Sequence, residues 1–210
     1  MIEGLSNIMG MKDFKLDFIL KTATELFMTR GIADVTIKDI ADEAEIGEAT
    51  VYRYFGTKAN IVVACALALG KQIYKEFFDL SKGKTGYEKI EIFYNSYLNV
   101  FKRSSSLFYF IKEFDAYMCT RGEVSLLEYE KDLDQFKADF MEAYQLGLTD
   151  KSIKPIKQID VFYFSTTHSL LELCKKLSMK KGVLQQDKSL KKVSEIKCLI
   201  NIILSSLKNA

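Results

Sequence analysis

The sequence predicts an all-α protein, with a three-helix unit at the N-terminus followed by a six-helix body. Three observations favour this fold class. The chain of 210 residues contains a single proline, so long stretches are free to be helical. Val and Thr are sparse beside Leu, Lys, Glu and Ala, which are better helix formers. Apolar residues recur at three- and four-residue spacings, and no segment alternates apolar and polar side chains over the length of a strand.

The first helix is predicted over residues 13–30. Apolar side chains such as Ile19 and Phe27 recur there at helical spacing, and Gly31 follows as a C-terminal stop. Residues 1–11 lack such a pattern, and we expect them to form a flexible arm.

Two short amphipathic helices joined by a tight turn come next. Thr36 opens the first of them, with Asp39 three positions later in the arrangement of a capping box. The second covers about residues 48–54, with Val51 on its inward side. Two short helices that each have one apolar face and a turn of about three residues between them are the sequence pattern of a helix-turn-helix, here over residues 33–58.

The body begins with a long helix for which Thr57 is a good N-cap and which runs to about Leu80. Five further helices are predicted at about 87–103, 105–119, 123–147, 156–181 and 188–208. The predicted organisation is therefore a flexible arm over 1–11, a helix-turn-helix domain over 12–58, and a helical body over 59–210.

Composition excludes several classes of protein. The single histidine, His168, has no clustered cysteines around it, so no metal site and no cofactor are expected. No signal peptide and no uncharged 18-residue apolar stretch is present, which predicts a cytoplasmic protein without a membrane span. The four cysteines are expected to be buried small hydrophobes in a reducing compartment: Cys65, Cys119, Cys174 and Cys198.

Residues 19–63 resemble the DNA-binding domain of the TetR (tetracycline repressor) family of transcription regulators. The resemblance rests on about a dozen residue types in register, which together are highly specific: Ala23, Leu26, Phe27, Gly31, Thr36, Ile40, Ala41, Ala44, Thr50, Tyr52, Tyr54, Phe55 and Lys58. It implies a homodimeric DNA-binding regulator, usually a repressor, that binds a pseudo-palindromic operator in double-stranded DNA. It also implies a small-molecule effector that binds in the helical body.

The same resemblance implies that the second helix of the motif enters the major groove of DNA. Hydroxyl groups and helix N-terminal amides are suitable donors to phosphate oxygens. A lysine in the first turn of a helix is disfavoured by roughly 0.3–1 kcal/mol, so Lys58 suggests a docked phosphate, although an exposed lysine without a role is the alternative. The candidate DNA-binding residues are Thr36, Lys38, Gly47, Glu48, Ala49, Thr50, Tyr52, Arg53, Tyr54 and Lys58.

Two acidic residues depart from the family pattern. Glu45 stands where glycine is usual in the turn, so either the turn tolerates another residue or Gly47 relaxes it. Glu48 stands where a basic or neutral residue is usual. It is stabilised by the helix dipole, or else it accepts a hydrogen bond from a cytosine amino group. Residues 12–60 hold seven Lys and Arg against nine Asp and Glu, so the DNA-binding segment is mildly acidic.

Most of the aromatic residues lie beyond residue 60, where a helical core accounts for the majority of them. A small-molecule site with apolar walls and a few polar groups would use some of them. The candidate ligand-binding residues are Tyr97, Phe101, Phe114, Tyr117 and Tyr144, with Glu113 or Asp115 as a counter-charge.

The last two predicted helices each carry a seam of apolar residues at spacings of three and four, as in coiled coils. Because each helix is apolar on more than one side, we expect a two-fold dimer interface, with a helix merely central in the monomer as the alternative. His168 is expected to be a hydrogen-bonding group of that interface. The lysines around the connection (175, 176, 180, 181, 188, 191 and 192) are expected to be solvated. The seam residues are Ile159, Tyr163, Thr166, Leu170, Leu173, Leu177, Ile196, Ile200, Ile203 and Leu207, and Val193 also lies on the seam.

Three other functions remain open from the sequence. An enzyme is disfavoured because no catalytic or nucleotide-binding motif is present; Gly83-Lys84-Thr85 lacks the leading glycine and the strand of a phosphate-binding loop. A constitutive DNA-binding or architectural protein would share the fold but have a filled core. A helical protein–protein adaptor would have lost DNA binding, which the acidic balance of the motif allows.

Overall fold

The computed structural model describes residues 2–120, 125–179 and 191–209. Within these ranges the chain forms nine α-helices, a short 3-10 helix and no β-strand, so the predicted fold class is confirmed. No described helix is long and apolar enough to cross a membrane. The helices are α1 (Ile2–Arg30), α2 (Ile37–Glu43), α3 (Glu48–Phe55), α4 (Lys58–Phe77), α5 (Gly86–Arg103), α6 (Ser106–Met118), α7 (Leu127–Thr149), α8 (Ile159–Ser178) and α9 (Lys192–Leu207), with the 3-10 helix at Leu80–Lys82.

The predicted flexible arm over residues 1–11 is replaced by helix, since α1 already begins at Ile2. The segment contains no proline, and once a helix is nucleated each added residue gains a backbone hydrogen bond. The predicted helix ends at 123–124, 180–181 and 188–190 lie outside the described residues.

The first compact unit comprises Met1–Leu69 and Phe110–Tyr129. It therefore extends beyond the predicted domain of residues 12–58. Ile61 and Cys65 of α4, together with Phe110 of α6, belong to the same buried apolar cluster as α1, α2 and α3. Helical periodicity identifies an apolar face but not the element that covers it, so the contribution of α6 could not be predicted.

The second unit comprises Gly70–Tyr109 and Glu130–Ala210 and has an aromatic interior. Phe93 lies at its centre. Its ring centroid is 5.5 Å from that of Phe78, 5.4 Å from that of Phe140 and 5.9 Å from that of Tyr97, and all three pairs meet edge to face. Such edge-to-face pairs are favoured by the aromatic quadrupole, so the rings stabilise the interior and fix one another's orientation.

Seven of the eleven seam residues of α8 and α9 are buried inside the single chain, where its own helices cover them, and a dimer interface formed by these two helices stays a prediction. The two helices pack on each other and on α5. A 3.5-residue repeat shows that a helix has a helical neighbour, but it does not show whether that neighbour belongs to the same chain. Ile159, Thr166 and Leu173 are half-buried and Val193 is exposed, and the remaining seam residues are buried: Tyr163, Leu170, Leu177, Ile196, Ile200, Ile203 and Leu207.

Two smaller expectations also fail in part. Lys175, expected in a solvated cluster, is 6% exposed, and its Nζ pairs with a carboxylate oxygen of Glu172 at 2.6 Å. This short ion pair offsets the cost of burying the charge. Lys180, Lys181 and Lys188 lie outside the described residues, and Lys176, Lys191 and Lys192 are exposed as expected. Among the cysteines, Cys65 and Cys174 are buried, but Cys119, in the turn after α6, and Cys198, on α9, are exposed.

Close backbone packing joins the start of α5 to the end of α7. A Cβ atom on Gly86 would overlap the backbone of Gly147, and the Gly86 amide donates to Oδ2 of Asp150 at 2.8 Å. The atoms that a Cβ would meet belong to the Gly147 backbone, and the Gly86 amide is held by Asp150. Neither segment can therefore shift easily. Glycine is required here for a close approach within the second unit.

We expect Gly86→Ala to lower the free energy of unfolding by about 1–3 kcal/mol, the usual range for overpacking in a fixed environment. Gly70→Ala is the matched control, because nothing lies within 4 Å of a Cβ at Gly70 inside helix α4. The control should raise stability by up to about 1 kcal/mol through helix propensity. Urea unfolding of both variants measures this, and equal stabilities would contradict the packing account.

Candidate nucleic-acid interface

Helix α2 begins at a complete capping box. The Thr36 backbone N–H donates to Oδ2 of Asp39 at 2.7 Å, the Asp39 N–H donates to the Thr36 Oγ1 at 3.1 Å, and the Thr36 hydroxyl also donates to Asp39. Arg30 at the end of α1 pairs with the same carboxylate at 3.1 Å. Hydrogen bonds from the Thr36 side chain and backbone, and then from Arg30, lower the pKa of Asp39 to about 2. The box therefore fixes the start of α2 and joins it to α1.

The turn between α2 and α3 places Glu45 in the left-handed region, with φ of 52°. The following Ile46 N–H donates to the Ala41 carbonyl at 2.9 Å, which closes the turn. Gly47 has φ of −71° and does not take the left-handed conformation. Of the two sequence alternatives, the structure supports a turn that tolerates a non-glycine residue at position 45, at some conformational cost.

Helix α3 has one buried side chain, Val51, and an exposed opposite face. Its N-cap, Gly47, has no side chain to accept from the first-turn amides, which leaves donors at the helix start. Thr50 and Tyr54 are half-buried. The residues of α3 that are candidates to contact DNA bases are all exposed to solvent: Glu48, Ala49, Tyr52 and Arg53. The amphipathic pattern that predicted this face is confirmed by the burial of Val51 on its other side.

Two cations near this face have partners within the first unit. The Arg53 guanidinium lies over the Tyr54 ring, 5.6 Å from its centroid. The Lys58 Nζ donates to the Ala33 carbonyl at 3.4 Å and lies 5.4 Å from the centroid of the Tyr117 ring. These contacts explain why a lysine is tolerated in the first turn of α4 even when no phosphate is bound there. Lys58 is half-buried as a result.

Three of the six candidate ligand residues, Tyr97, Phe101 and Tyr144, lie in the second unit. The Phe101 ring is buried against Phe108, with centroids 5.9 Å apart. The Tyr144 hydroxyl accepts from the Ile156 N–H at 2.8 Å and so ties α7 to the connection before α8. Tyr97 belongs to the aromatic interior, where its ring meets that of Phe93.

The other three candidates lie in the first unit. Phe114 is part of its buried apolar cluster, Tyr117 is the ring under Lys58, and Glu113 pairs with Lys112 at 2.9 Å. The division of α6 between the two units, after Tyr109, explains why neighbouring positions in the sequence belong to different interiors. Asp115, the alternative counter-charge, is exposed.

A groove of about 390 Å³ in the second unit was not predicted from the sequence. Its lining combines apolar and aromatic side chains with side chains of both signs of charge. The Tyr74 hydroxyl donates to Asp139 at 2.5 Å, and burial followed by this carboxylate raises the pKa of Tyr74 to about 12. The groove joins residues distant in sequence, which no local pattern links: Tyr74, Lys75, Phe78, Asp79, Leu80, Ser81, Lys89, Asp139, Glu142 and Ala143.

Comparison with known proteins identifies the helix-turn-helix. Residues 19–65 match the family described as bacterial regulatory proteins, tetR family. The HTH-type transcriptional repressor Rv3405c of Mycobacterium tuberculosis is 42% identical over 55 residues, which are 26% of this chain and 29% of that protein. The match thus spans less than a third of that relative's length. The HTH-type transcriptional repressor KstR2 of Mycolicibacterium smegmatis is 26% identical over 163 residues, 70% of this chain and 71% of that protein.

A solved structure has a similar fold over almost the whole chain. The transcriptional regulator FadR from Bacillus subtilis, in complex with stearoyl-CoA, has a TM-score of 0.67 at 15% identity and covers 91% of this chain and 98% of its own. The first unit is therefore a helix-turn-helix domain of the kind found in bacterial DNA-binding regulators. Residues 19–65 are the part of the chain that carries the tetR-family domain.

We expect Thr36→Ala to raise the pKa of Asp39 from about 2 towards its ordinary value of 3.8, because the largest cause of the depression is removed. Loss of the cap should also lower the free energy of unfolding by about 1 kcal/mol. A carboxylate with a depressed pKa stabilises the fold above the ordinary pKa, and that stabilisation is lost as the pH falls through about 2. The variant should show less of this acid dependence.

Carbon-13 NMR titration of the Asp39 carboxyl group, together with urea unfolding between pH 2 and 6, measures both effects. Thr57→Ala is the matched control, because the Thr57 hydroxyl oxygen accepts from the Asn60 N–H at the start of α4 and is remote in sequence from Asp39. An Asp39 pKa that stays unchanged in Thr36→Ala would contradict the capping box as its cause.

Proposed function

We propose that the protein is a sequence-specific DNA-binding transcription regulator of the cytoplasm, a repressor released from its operator by a small, largely apolar or aromatic ligand. The observation that carries the proposal is the exposed face of α3, which presents Glu48, Ala49, Tyr52 and Arg53 opposite the buried Val51. A helix held on one face and exposed on the other is the arrangement by which helix-turn-helix proteins read base edges.

In this proposal α3 lies in the major groove, where Arg53 is the residue best suited to a bidentate contact with guanine. Gly47 and the uncapped amides of α3 approach a phosphate closely, and Thr50 and Tyr54 contact the backbone beside it. Lys38 is exposed on α2 and supplies a further phosphate contact. Thr36 and Lys58, the two remaining candidates, would have to exchange their present partners to do the same.

The second unit is the proposed site of ligand control. Support comes from its aromatic interior, from the groove of about 390 Å³, and from the stearoyl-CoA bound by a similar protein, FadR. Helix α4 contributes residues up to Leu69 to the first unit and residues from Gly70 to the second. A ligand that displaces its C-terminal turns would change how α3 meets the operator. Such coupling is reciprocal, so operator DNA would weaken ligand binding by the same factor.

A homodimer is proposed because a two-fold operator requires two linked α3 helices about one DNA turn apart. The surface offered for it is the outward side of α8 and α9 rather than their buried seams. Val161 is 58% exposed, Phe164 is 44% exposed and Ile202 is 61% exposed, although all three are apolar. His168 is exposed beside Phe164, with ring centroids 5.7 Å apart, and would provide a polar group within the interface.

The dimer proposal predicts that Phe164→Glu and Ile202→Glu each give monomers, because every two-fold contact would bury two unpaired carboxylates. Sedimentation at micromolar concentration should find dimers of the unaltered protein. Phe14→Glu is the control, since Phe14 is 73% exposed on α1 and removing it should leave the dimer intact. Dimers that persist in both α8 and α9 variants would reject this face.

The acidic motif predicts a shallow dependence of DNA binding on salt, because few phosphates are neutralised by lysine or arginine. Glu48 is exposed in the first turn of α3, where the helix dipole stabilises it. We therefore expect Glu48→Ala to tighten binding to all duplexes while the preferred sequence stays the same. Glu43→Ala, an exposed carboxylate on α2, is the control for the loss of one negative charge.

Fluorescence anisotropy against the preferred duplex and against single-base variants of it, at several salt concentrations, measures both quantities. If Glu48 instead accepts from a cytosine, its removal would relax preference at one base pair in each half-site by about 1–3 kcal/mol. Equal affinity of the unaltered protein for the preferred duplex and for scrambled duplexes would refute the proposed function itself.

A further inference from the structure

Four tyrosines in the second unit differ in whether their hydroxyl group has a hydrogen-bond partner in the protein. Tyr74 donates to Asp139 at 2.5 Å, Tyr94 bonds with Thr166 at 2.6 Å, and Tyr144 accepts from a backbone amide. These three hydroxyls are committed to holding helices together. Tyr97, on α5, lies among the same rings, yet in the part of the chain that the structure describes no protein group forms a hydrogen bond with its hydroxyl.

The Tyr97 side chain lies among aromatic rings and is half-buried. Its ring meets Phe78 and Phe93 edge to face, at 5.6 and 5.9 Å between centroids. Burial raises the pKa of Tyr97. The side chain is nevertheless only half-buried, and its oxygen is not among the fully enclosed atoms without a partner. A hydroxyl that has no protein partner and retains accessible surface is able to donate a hydrogen bond to a bound molecule.

The surroundings of this hydroxyl are uncharged. The titratable groups that interact with it within the described residues are Tyr163, Tyr94 and Cys174. An ionised ligand group placed there would lose its hydration without gaining a counter-ion, which is strongly unfavourable. A hydrogen-bonding group that carries no charge would instead satisfy the Tyr97 hydroxyl, which is costly to leave unpaired.

We propose that Tyr97 is the polar anchor of the effector site, and that it selects a neutral, largely apolar molecule with one hydrogen-bond acceptor such as a ketone. The inference rests on the proposed ligand control and adds to it the chemical class of the ligand and the residue that recognises it. Aromatic rings on either side of Tyr97 provide the apolar walls.

A neutral naphthalene ketone, 6-propionyl-2-(dimethylamino)naphthalene, tests the proposal, because its emission reports both binding and hydrogen bonding at its carbonyl. We expect it to bind the unaltered protein, and Tyr97→Phe to weaken binding by about 3- to 10-fold, the effect of one hydrogen bond. The emission of the bound probe should also move to shorter wavelength in Tyr97→Phe. Tyr94→Phe, whose hydroxyl is committed to Thr166, should leave the affinity and the emission unchanged.

Thermal unfolding of the apo variants separates recognition from stability, since Tyr97→Phe removes no intramolecular hydrogen bond and should not lower the midpoint. Three results would overturn the inference: no binding of the ketone, equal affinity of Tyr97→Phe, or tighter binding of anionic stearoyl-CoA that does not depend on Tyr97. DNA binding of the same proteins without a probe is measured separately. Loss of DNA binding in the unaltered protein would count against the proposed function, whereas the Tyr97 results concern the ligand alone.

Discussion

The burial of Val51 is the interaction on which the DNA-binding surface depends. Val51 is the one side chain of α3 that is fully buried, and it joins the apolar cluster that also contains Phe27 and Ile40. Removing a valine side chain from water contributes about 1.5–3 kcal/mol, enough to orient a helix of eight residues that is too short to be stable alone. Because α3 packs against the domain through one face only, its other faces remain exposed and available to contact DNA.

Some polar residues around α3 already have partners in the unbound protein. Thr36 uses its hydroxyl proton in the capping box, and Lys58 is held by Ala33 and Tyr117. In the unbound protein these two residues therefore stabilise the domain. The groups left free to meet phosphates are the helix N-terminal amides and the exposed Lys38. A domain with a slightly acidic composition is consistent with such binding, since backbone amides contribute no net charge.

Contacts between residues close in sequence were predicted correctly, whereas contacts between residues far apart in sequence were not. The capping box at Thr36 and the inward position of Val51 follow from spacings of three or four residues, and both were predicted. The element that packs against the α8 and α9 seams was not predicted. A repeat such as that around Leu170 can be covered equally well by a partner chain or by α5. The six ligand candidates are divided between the two units, since α6 contributes to both.

Whether α3 reads the DNA sequence is tested by selecting duplexes from a random pool, in parallel with the unaltered protein and with a Tyr52→Ala/Arg53→Ala double variant. Both substitutions lie on the exposed face of α3 and leave Val51 in place, so the thermal midpoint should be unchanged. We expect the unaltered protein to enrich an inverted repeat with half-sites about one helical turn apart, and the variant to enrich none. Enrichment of the same repeat by the variant would show that α3 does not read the DNA.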